Sequence, residues 1–381
     1  MIYINDIYPY VPYLPWAILG ILLILQLYYI LFVYRKLSRY KVESYQGKQQ
    51  YPPLSVIICA HNEQDNLRAF LPSILEQEYP DFEVIVVDDC SNEDSSWVLK
   101  EFAARYPERL KIVEIKEHIR LKHTKKFALT IGIKAAKNEL LLMSDADCEP
   151  QGKLWLQEMA GAFAEGKEIV LGYSPYFKMK GFLNKVIRFE TTHTAMSYLA
   201  YALKKDSYMA VGRNLAYTKS LFFKSKGFNK HMHLKSGDDD LFVNHNATAS
   251  NVAVAIHPEA QVFSNPKTTW KSYYKQKGRH AGASTLYKAR HKRMLATQLI
   301  SALLFYVALA VAVILQPHYW PFALGAYLLR LSCQLLVFRP IYKKLHVADL
   351  LVWLPLLDLF YYFYICVNGL FNRKKKQKSW K

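Results

Sequence analysis

Leu54-Ser55-Val56-Ile57-Ile58-Cys59-Ala60 runs directly into His61-Asn62-Glu63. A short β-branched apolar run after Pro52-Pro53 reads as a strand buried on both faces, the habit of parallel sheets. Working outward, Glu63 to Gln77 carries Leu67, Phe70, Leu71, Ile74 and Leu75 at helical spacing. Phe82 to Val87 is a second strand, closing in Asp88-Asp89. Ser95 to Tyr106 returns as a helix, Leu110 to Ile115 as a strand, and Lys125 to Ala136 as another helix. Glu139 to Met143 is a fourth strand and ends in Asp145-Ala146-Asp147. Strands alternating with helices over short connections predict an α/β fold, a mostly parallel sheet with helices on both faces.

Ligands of such sheets bind beyond the carboxyl ends of the strands. Three polar clusters fall there: His61-Asn62-Glu63, Asp88-Asp89 and Asp145-Ala146-Asp147. Asp and Asn also favour ordinary turns, but three clusters on one edge make a site. No G-x-x-x-x-G-K-[ST] or G-x-G-x-x-G follows a strand, so a P-loop or dinucleotide fold lacks support. A D-x-D pair at a strand end can hold one hard divalent cation, which bridges two phosphates and offsets the charge of a departing diphosphate. Lys125 and Lys126 offer further positive charge, or form a solvated helix face.

Apolar runs flank this polar middle. No Asp, Glu, Lys or Arg lies between Asp6 and Arg35, and Trp16 to Tyr34 is long enough to cross a bilayer. A cleaved signal peptide is disfavoured by Asp6 and by the length of the run. Arg35, Lys36, Arg39, Lys41 and Lys48 follow it, placing the next domain in the cytoplasm by the positive-inside rule. Ala296 to Leu315 and Tyr319 to Phe338 read as a hairpin around Gln316-Pro317-His318. Val347 to Phe371 contains Asp349, Pro355 and Asp358, and it spans, re-enters or lies at the interface. Arg330, inside a span, faces protein; a lipid phosphate, snorkelling and Asp358 are its alternative partners. Gly181 to Leu203 and Trp270 to Arg293 read as amphipathic helices at the membrane surface, or as core helices in the case of the first.

The expected organisation is an N-terminal anchor over 1–34, a basic linker over 35–52 and a cytoplasmic catalytic domain over 53–265. An amphipathic interface region over 266–293, membrane segments over 294–371 and a basic tail over 372–381 complete it. Lys+Arg 50 against Asp+Glu 31 gives a net charge of +19, and the basic residues gather beside the apolar runs, where anionic head groups account for them without nucleic acid. The five cysteines form no C-x-x-C pair, so neither a zinc knuckle nor a disulfide framework is indicated.

SVIICAHNE, VIVVDDCS, KKFAL, LLMSDADCEP, GRNLAY, SGDDDLF and QKGRH stand in the order seen in family 2 glycosyltransferases. The chain most resembles membrane-embedded members: the cellulose, chitin, hyaluronan and poly-N-acetylglucosamine synthases and the ceramide glucosyltransferases. The resemblance covers about residues 53 to 290. It implies a GT-A fold, a nucleotide-sugar donor (a UDP-sugar ahead of a GDP-sugar), Mg²⁺ or Mn²⁺, and inversion of the anomeric centre. By this likeness His61, Asn62, Glu63, Asp88 and Asp89 line the nucleoside, with Lys125 and Lys126 near the phosphates. Asp145 and Asp147 match the D-x-D motif, Asp147 being the more direct metal ligand. The family's base position falls on Asp238-Asp239-Asp240: counting back from Leu241 selects Asp238, counting from Gly237 selects Asp239. Gln276 and Arg279 match the Q-x-x-R-W motif that contacts the diphosphate, with His280 in place of Trp. Gly212, Arg213 and Asn214, with Asp240 and His280, fall on the acceptor side.

Two functions of one class compete: transfer of a single sugar to a lipid-linked or saccharide acceptor, and processive polysaccharide synthesis. His280 departs from the polymerase motif and favours the first. A non-catalytic membrane-anchored binder of anionic polymers is the alternative from another class, and a nucleotidyltransferase is disfavoured by the Asp238–Asp240 cluster preceding an Arg motif.

Overall fold

A computed structural model describes residues 13–47, 50–116, 124–164, 166–234, 236–280 and 282–372, without the side chains of 279, 280 and 366–372. The side chains of Arg279 and His280, and the basic tail, therefore lie outside the described residues. The chain forms two compact units.

The larger unit holds residues 41–288, with 344–346. Its sheet has seven strands: β1 (Leu54–Ala60), β2 (Phe82–Asp89), β3 (Leu110–Ile115), β4 (Leu140–Asp145), β6 (Ile169–Leu171), β7 (Leu215–Thr218) and β8 (Val252–Val254). The spatial order is β3-β2-β1-β4-β7-β6-β8. β1 pairs in parallel with β2 and β4, and β2 with β3, while β7 runs antiparallel to β4 and β6. β5 (Cys148–Pro150) and β9 (Val262–Ser264) form a separate antiparallel pair. Every residue of β1 and β2 is buried; their runs are mainly apolar, and the buried Ser55 hydroxyl donates to Glu83 Oε1 at 2.6 Å.

Helices α1 to α9 accompany them in chain order, α1 (Leu14–Arg39) belonging to the other unit. They are α2 (Gln64–Leu75), α3 (Ser95–Arg105), α4 (Lys125–Ala135), α5 (Trp155–Gly161), α6 (Phe182–Leu203), α7 (Lys219–Lys224), α8 (Asp240–Asn246) and α9 (Trp270–His280). Thr124 caps α4, its hydroxyl accepting from the Phe127 amide at 3.3 Å. The reading of 181–203 as a membrane-surface helix is overturned. From Val186 to Ala202 all but two residues of α6 are buried, Arg188, Glu190, Thr192 and His193 among them. A surface helix would leave one polar face in water.

The smaller unit gathers α1, α10 (Ala289–Leu315), α11 (Trp320–Lys344) and α12 (Leu354–Asn372). Among the described residues four helices are long and apolar enough to cross a membrane: Leu14–Arg39, Ala289–Leu315, Pro317–Lys344 and Ala348–Ile365. Ile24, Ile314 and Leu336 are exposed on them, as a lipid-facing surface would be. Their interior is polar at one level. Arg330 and Asp358, each 1% exposed, pair at 2.9 Å, which selects Asp358 among the partners open to Arg330.

Candidate active site

Turn chemistry ties the ends of β1 and β2 together. Asn62 takes φ 55°, a left-handed conformation that Asn tolerates. Its amide donates to Ser91 Oγ at 3.0 Å, and its side-chain oxygen accepts from the Asn92 amide at 2.9 Å. Ser91 Oγ in turn donates to Asp88 Oδ1 at 2.5 Å, and His61 Nδ1 lies 2.6 Å from the Asp89 carbonyl. β4 delivers Asp145, and the turn into β5 delivers Asp147.

The Asp238–Asp240 cluster stands at the start of α8, where backbone amides await acceptors. Gly237 precedes it at φ +97°, and a Cβ there would meet Leu241 Cδ1 at 2.5 Å, so glycine is required. Asp239 accepts from the Gly212 amide and from the Asp240 amide, both at 2.7 Å. Asp240 accepts from the Leu241 amide at 2.7 Å and from the Tyr287 hydroxyl at 2.8 Å. Lys125, on the first turn of α4, joins this cluster to the sheet edge: its Nζ is 2.7 Å from Asp145 Oδ1 and 3.4 Å from Asp238 Oδ2.

These groups share one cavity of about 460 Å³. Of the expected site residues, His61, Glu63, Lys125, Asp145, Asp147, Gly212, Arg213, Asp238, Asp239, Asp240 and Gln276 line it. Asn62, Asp88 and Asp89 sit at the same strand ends but not on its wall. Asn214 is wholly buried, its amide donating to the Tyr173 and Ala260 carbonyls at 2.9 and 2.7 Å. Lys126 is also absent from the wall: buried, it donates to the carbonyls of His231 (2.7 Å) and Leu234 (3.1 Å), and so holds the loop ahead of the aspartates. Adjacent residues of a helix point about 100° apart, so only one of the two lysines could face the site.

Charge in the cavity is unbalanced. Burial, then the neighbouring Asp238 and Asp240, push Asp239 up to about 7. Burial pushes Asp240 up to about 6, although the Tyr287 hydroxyl works against the rise. Asp147 is raised by burial and next by Asp145. Burial disfavours the Lys125 charge, yet Asp145 and Asp238 outweigh it and hold the ammonium firmly protonated.

Other wall residues carried no recognised motif. Tyr176 stacks under the Arg213 guanidinium at 4.4 Å and accepts from Gln276 Nε2 at 3.3 Å. Thr191 and Thr194 come from α6, and Ser284 and Tyr287 from the segment after α9. In α6 the polar run Glu190, Thr191, Thr192, His193 and Thr194 carries no signal in the sequence that separates a cavity wall from a solvent face.

Residues 55–224 match the family model of Glycosyl transferase family 2. The poly-beta-1,6-N-acetyl-D-glucosamine synthase of Staphylococcus epidermidis is 30% identical over 99 residues, 26% of this chain and 23% of that protein. The probable glycosyltransferase YdaM of Bacillus subtilis is 25% identical over 249 residues, 62% of this chain and 56% of that protein. In both cases the chain spans less than two thirds of the relative's length. Among solved structures, the mannosyltransferase PcManGT of Pyrobaculum calidifontis, in complex with GDP-Man and Mn²⁺, is similar at a TM-score of 0.56. It shares 18% identity over 91% of this chain and 98% of that one, and the likeness establishes a GT-A fold.

Proposed function

We propose, from the match of residues 55–224 to the model of Glycosyl transferase family 2, a membrane-bound, inverting enzyme that moves a sugar from a nucleotide-sugar to an acceptor hydroxyl. One observation carries the reading. Lys125 contacts both Asp145 and Asp238, so the D-x-D edge and the carboxylate cluster face each other across a single cavity. A donor's diphosphate and an acceptor's nucleophile need that separation of roles in one space.

Asp239 is the general base. Its carboxylate is aimed by two backbone amides rather than tied to a lysine, and a pKa near 7 suits proton abstraction at neutral pH. Asp238 anchors Lys125, whose ammonium faces the diphosphate together with Gln276. His61 and Glu63 take the nucleoside side. A single displacement with one base on the acceptor face inverts the anomeric centre.

The residues fit a divalent cation in a limited way. Among the described residues no three His, Cys, Asp or Glu side chains converge into a ligand set. Asp145 and Asp147 nevertheless both reach the cavity, and Asp147 is a half-buried carboxyl whose charge desolvation and then Asp145 disfavour, a state that a hard cation relieves. Asp145 and Asp147 would therefore hold Mg²⁺ or Mn²⁺ together with oxygens of the donor. Bound there, it supplies charge neutralisation for the leaving diphosphate.

The four apolar helices support a membrane location, and the basic residues after the first favour a cytoplasmic side for the proposed catalytic unit. The test is direct. Purified protein is incubated with a panel of UDP- and GDP-sugars plus Mg²⁺ or Mn²⁺, and released nucleoside diphosphate is measured. Release with one donor, lost in Asp147→Ala, is expected; no release from any donor, or full activity in the variant, overturns the reading. The anomeric configuration of the product, by NMR, tests inversion.

A further inference from the structure

We infer that Lys126, which lies off the cavity wall, is a positioning residue for the proposed base Asp239: it grips the turn that leads into the carboxylate cluster and adds a second cation to that cluster. The inference rests on the preceding reading and adds a residue to its machinery. Lys126 is wholly buried, a state lysine rarely takes without an acidic partner. Its Nζ donates to the carbonyls of His231 and Leu234, at 2.7 and 3.1 Å, and among the described residues it pairs with no carboxylate. Both carbonyls belong to the turns ahead of Gly237, whose φ of +97° brings the chain into α8. On the other side the Gly212 amide fixes the Asp239 carboxylate at 2.7 Å. The base is thus set by two grips, one on the backbone from Lys126 and one on the side chain from Gly212.

A neutral donor would serve two carbonyls as well, so the charge needs its own account. Burial lowers Lys126 below the ordinary lysine range, and Asp238, Asp240 and Asp239, in that order, oppose the fall. The converse also holds, since Lys126 works against the rise of Asp240. The other groups that face the cluster are already engaged or uncharged. Lys125 contacts Asp145 and Asp238, and the Tyr287 hydroxyl donates to Asp240. His231 is buried with neither ring nitrogen partnered. Burial, then Lys126 and His245, push it down to about 4, so it is neutral at pH 7. Lys126 is therefore a cation held by carbonyl oxygens, and its field favours the ionised form of three adjacent acids.

The experiment uses the full chain in detergent, with the donor that gives diphosphate release, and follows kcat, donor KM and the pH profile. Lys126→Met removes donors and charge, Lys126→Gln keeps a donor, and Lys126→Arg keeps both. Lys126→Met should lower kcat about tenfold or more while donor KM stays within about twofold. It should also move the inflection of kcat/KM upward by about half a pH unit or more, because a cation near the base is lost. Lys126→Gln should recover part of kcat but keep the displaced inflection, and Lys126→Arg should restore both. A lowered melting temperature with wild-type kcat and inflection overturns the inference, as does a raised donor KM with unchanged kcat, which places Lys126 on the diphosphate. If Lys126→Met does not fold, the other two variants decide: equal inflections in Gln and Arg overturn the role of the charge. Loss of folding in all three, Arg included, makes Lys126 purely structural and also overturns it. Each of these outcomes leaves the glycosyltransferase reading standing, whereas no release from any donor by the wild-type chain brings down that reading instead.

Discussion

Each unit of the molecule pairs a basic side chain with a carboxylate, wholly buried in the helical unit and half-buried in the other, and the two clusters differ in what is left over. In the helical unit Arg330 meets one acid, Asp358, and the pair is surrounded. Gln26 accepts from Nε and Nη2 at 3.3 and 3.2 Å, and Gln334 and Tyr306 complete the shell at 3.2 and 3.0 Å. Tyr306 and Gln334 also donate to the two oxygens of Asp358, at 2.5 and 3.1 Å. Charge and hydrogen bonds both close, so the cluster has nothing to offer a ligand. In the larger unit Lys125 faces Asp145 and Asp238 while Asp147, Asp239 and Asp240 share the same cavity. Negative charge there exceeds its partners, which is the condition for binding a cation and for holding a base poised. Burial of charge alone does not mark a functional site; an uncancelled remainder beside a cavity does.

The largest expected effect removes the proposed base. Asp239→Asn keeps the shape but cannot accept a proton, and transfer should fall by roughly a hundred- to ten-thousand-fold. Nucleoside diphosphate binding, followed by calorimetry, should persist. If Asp238→Asn is the inactive variant and Asp239→Asn is not, the roles of the two residues exchange.

The helical cluster should break differently. Asp358→Ala leaves Arg330 buried without its counter-charge, a change that costs about 3–5 kcal/mol. Thermal unfolding in detergent would show it. The double variant Arg330→Met with Asp358→Leu should recover most of that loss, because matched apolar groups replace a satisfied pair at little cost. Failure to recover would mean the cluster does more than hold the helices together.

Much of this contrast could be read from the chain itself. β1 and β2 announce themselves as short β-branched runs leading into polar residues, because strands buried on both faces leave no room for alternation. The acidic edge followed from those ends. Three features did not. α6 reads as amphipathic because its polar residues serve an internal cavity, which sequence cannot distinguish from solvent. Lys125 and Lys126 are chemically identical neighbours, separated only by the turn of the helix. Three consecutive aspartates give no register, and only the Gly212 amide singles out Asp239.

pH sharpens the same contrast at a smaller scale. With Asp239 at about 7, kcat/KM should rise about tenfold per pH unit below that value and level off above it, since the base must be ionised. The sign for stability is opposite. A carboxyl raised from about 4 in the unfolded chain binds its proton more tightly when folded, so its stabilising contribution is present below pH 4 and lost as pH rises towards 7. Asp239→Asn should flatten that decline in a series of unfolding curves. A profile with no inflection between pH 5 and 8 would show that another group limits the reaction.

Glu190 tests the boundary between the two kinds of cluster. It is a buried carboxylate of α6, largely satisfied like Asp358, yet it stands next to Thr191 on the cavity wall. It accepts from the Tyr273 hydroxyl and from Lys277 Nζ, the latter at 2.8 Å. Tyr273, Gln276 and Lys277 occupy one face of α9 at spacings of three and four, so Glu190 grips the helix on the face that presents Gln276. From Gln276 the contacts continue to Tyr176 and Arg213. Its role is to position α9, and the smallest of these effects follows. Glu190→Ala should raise the donor KM roughly tenfold, with a smaller fall in kcat, as expected for lost binding geometry. Glu190→Gln, which keeps an acceptor for Tyr273 but loses the charge, should fall between. A lowered melting temperature with an unchanged donor KM would assign Glu190 to the same purely structural class as Arg330 and Asp358.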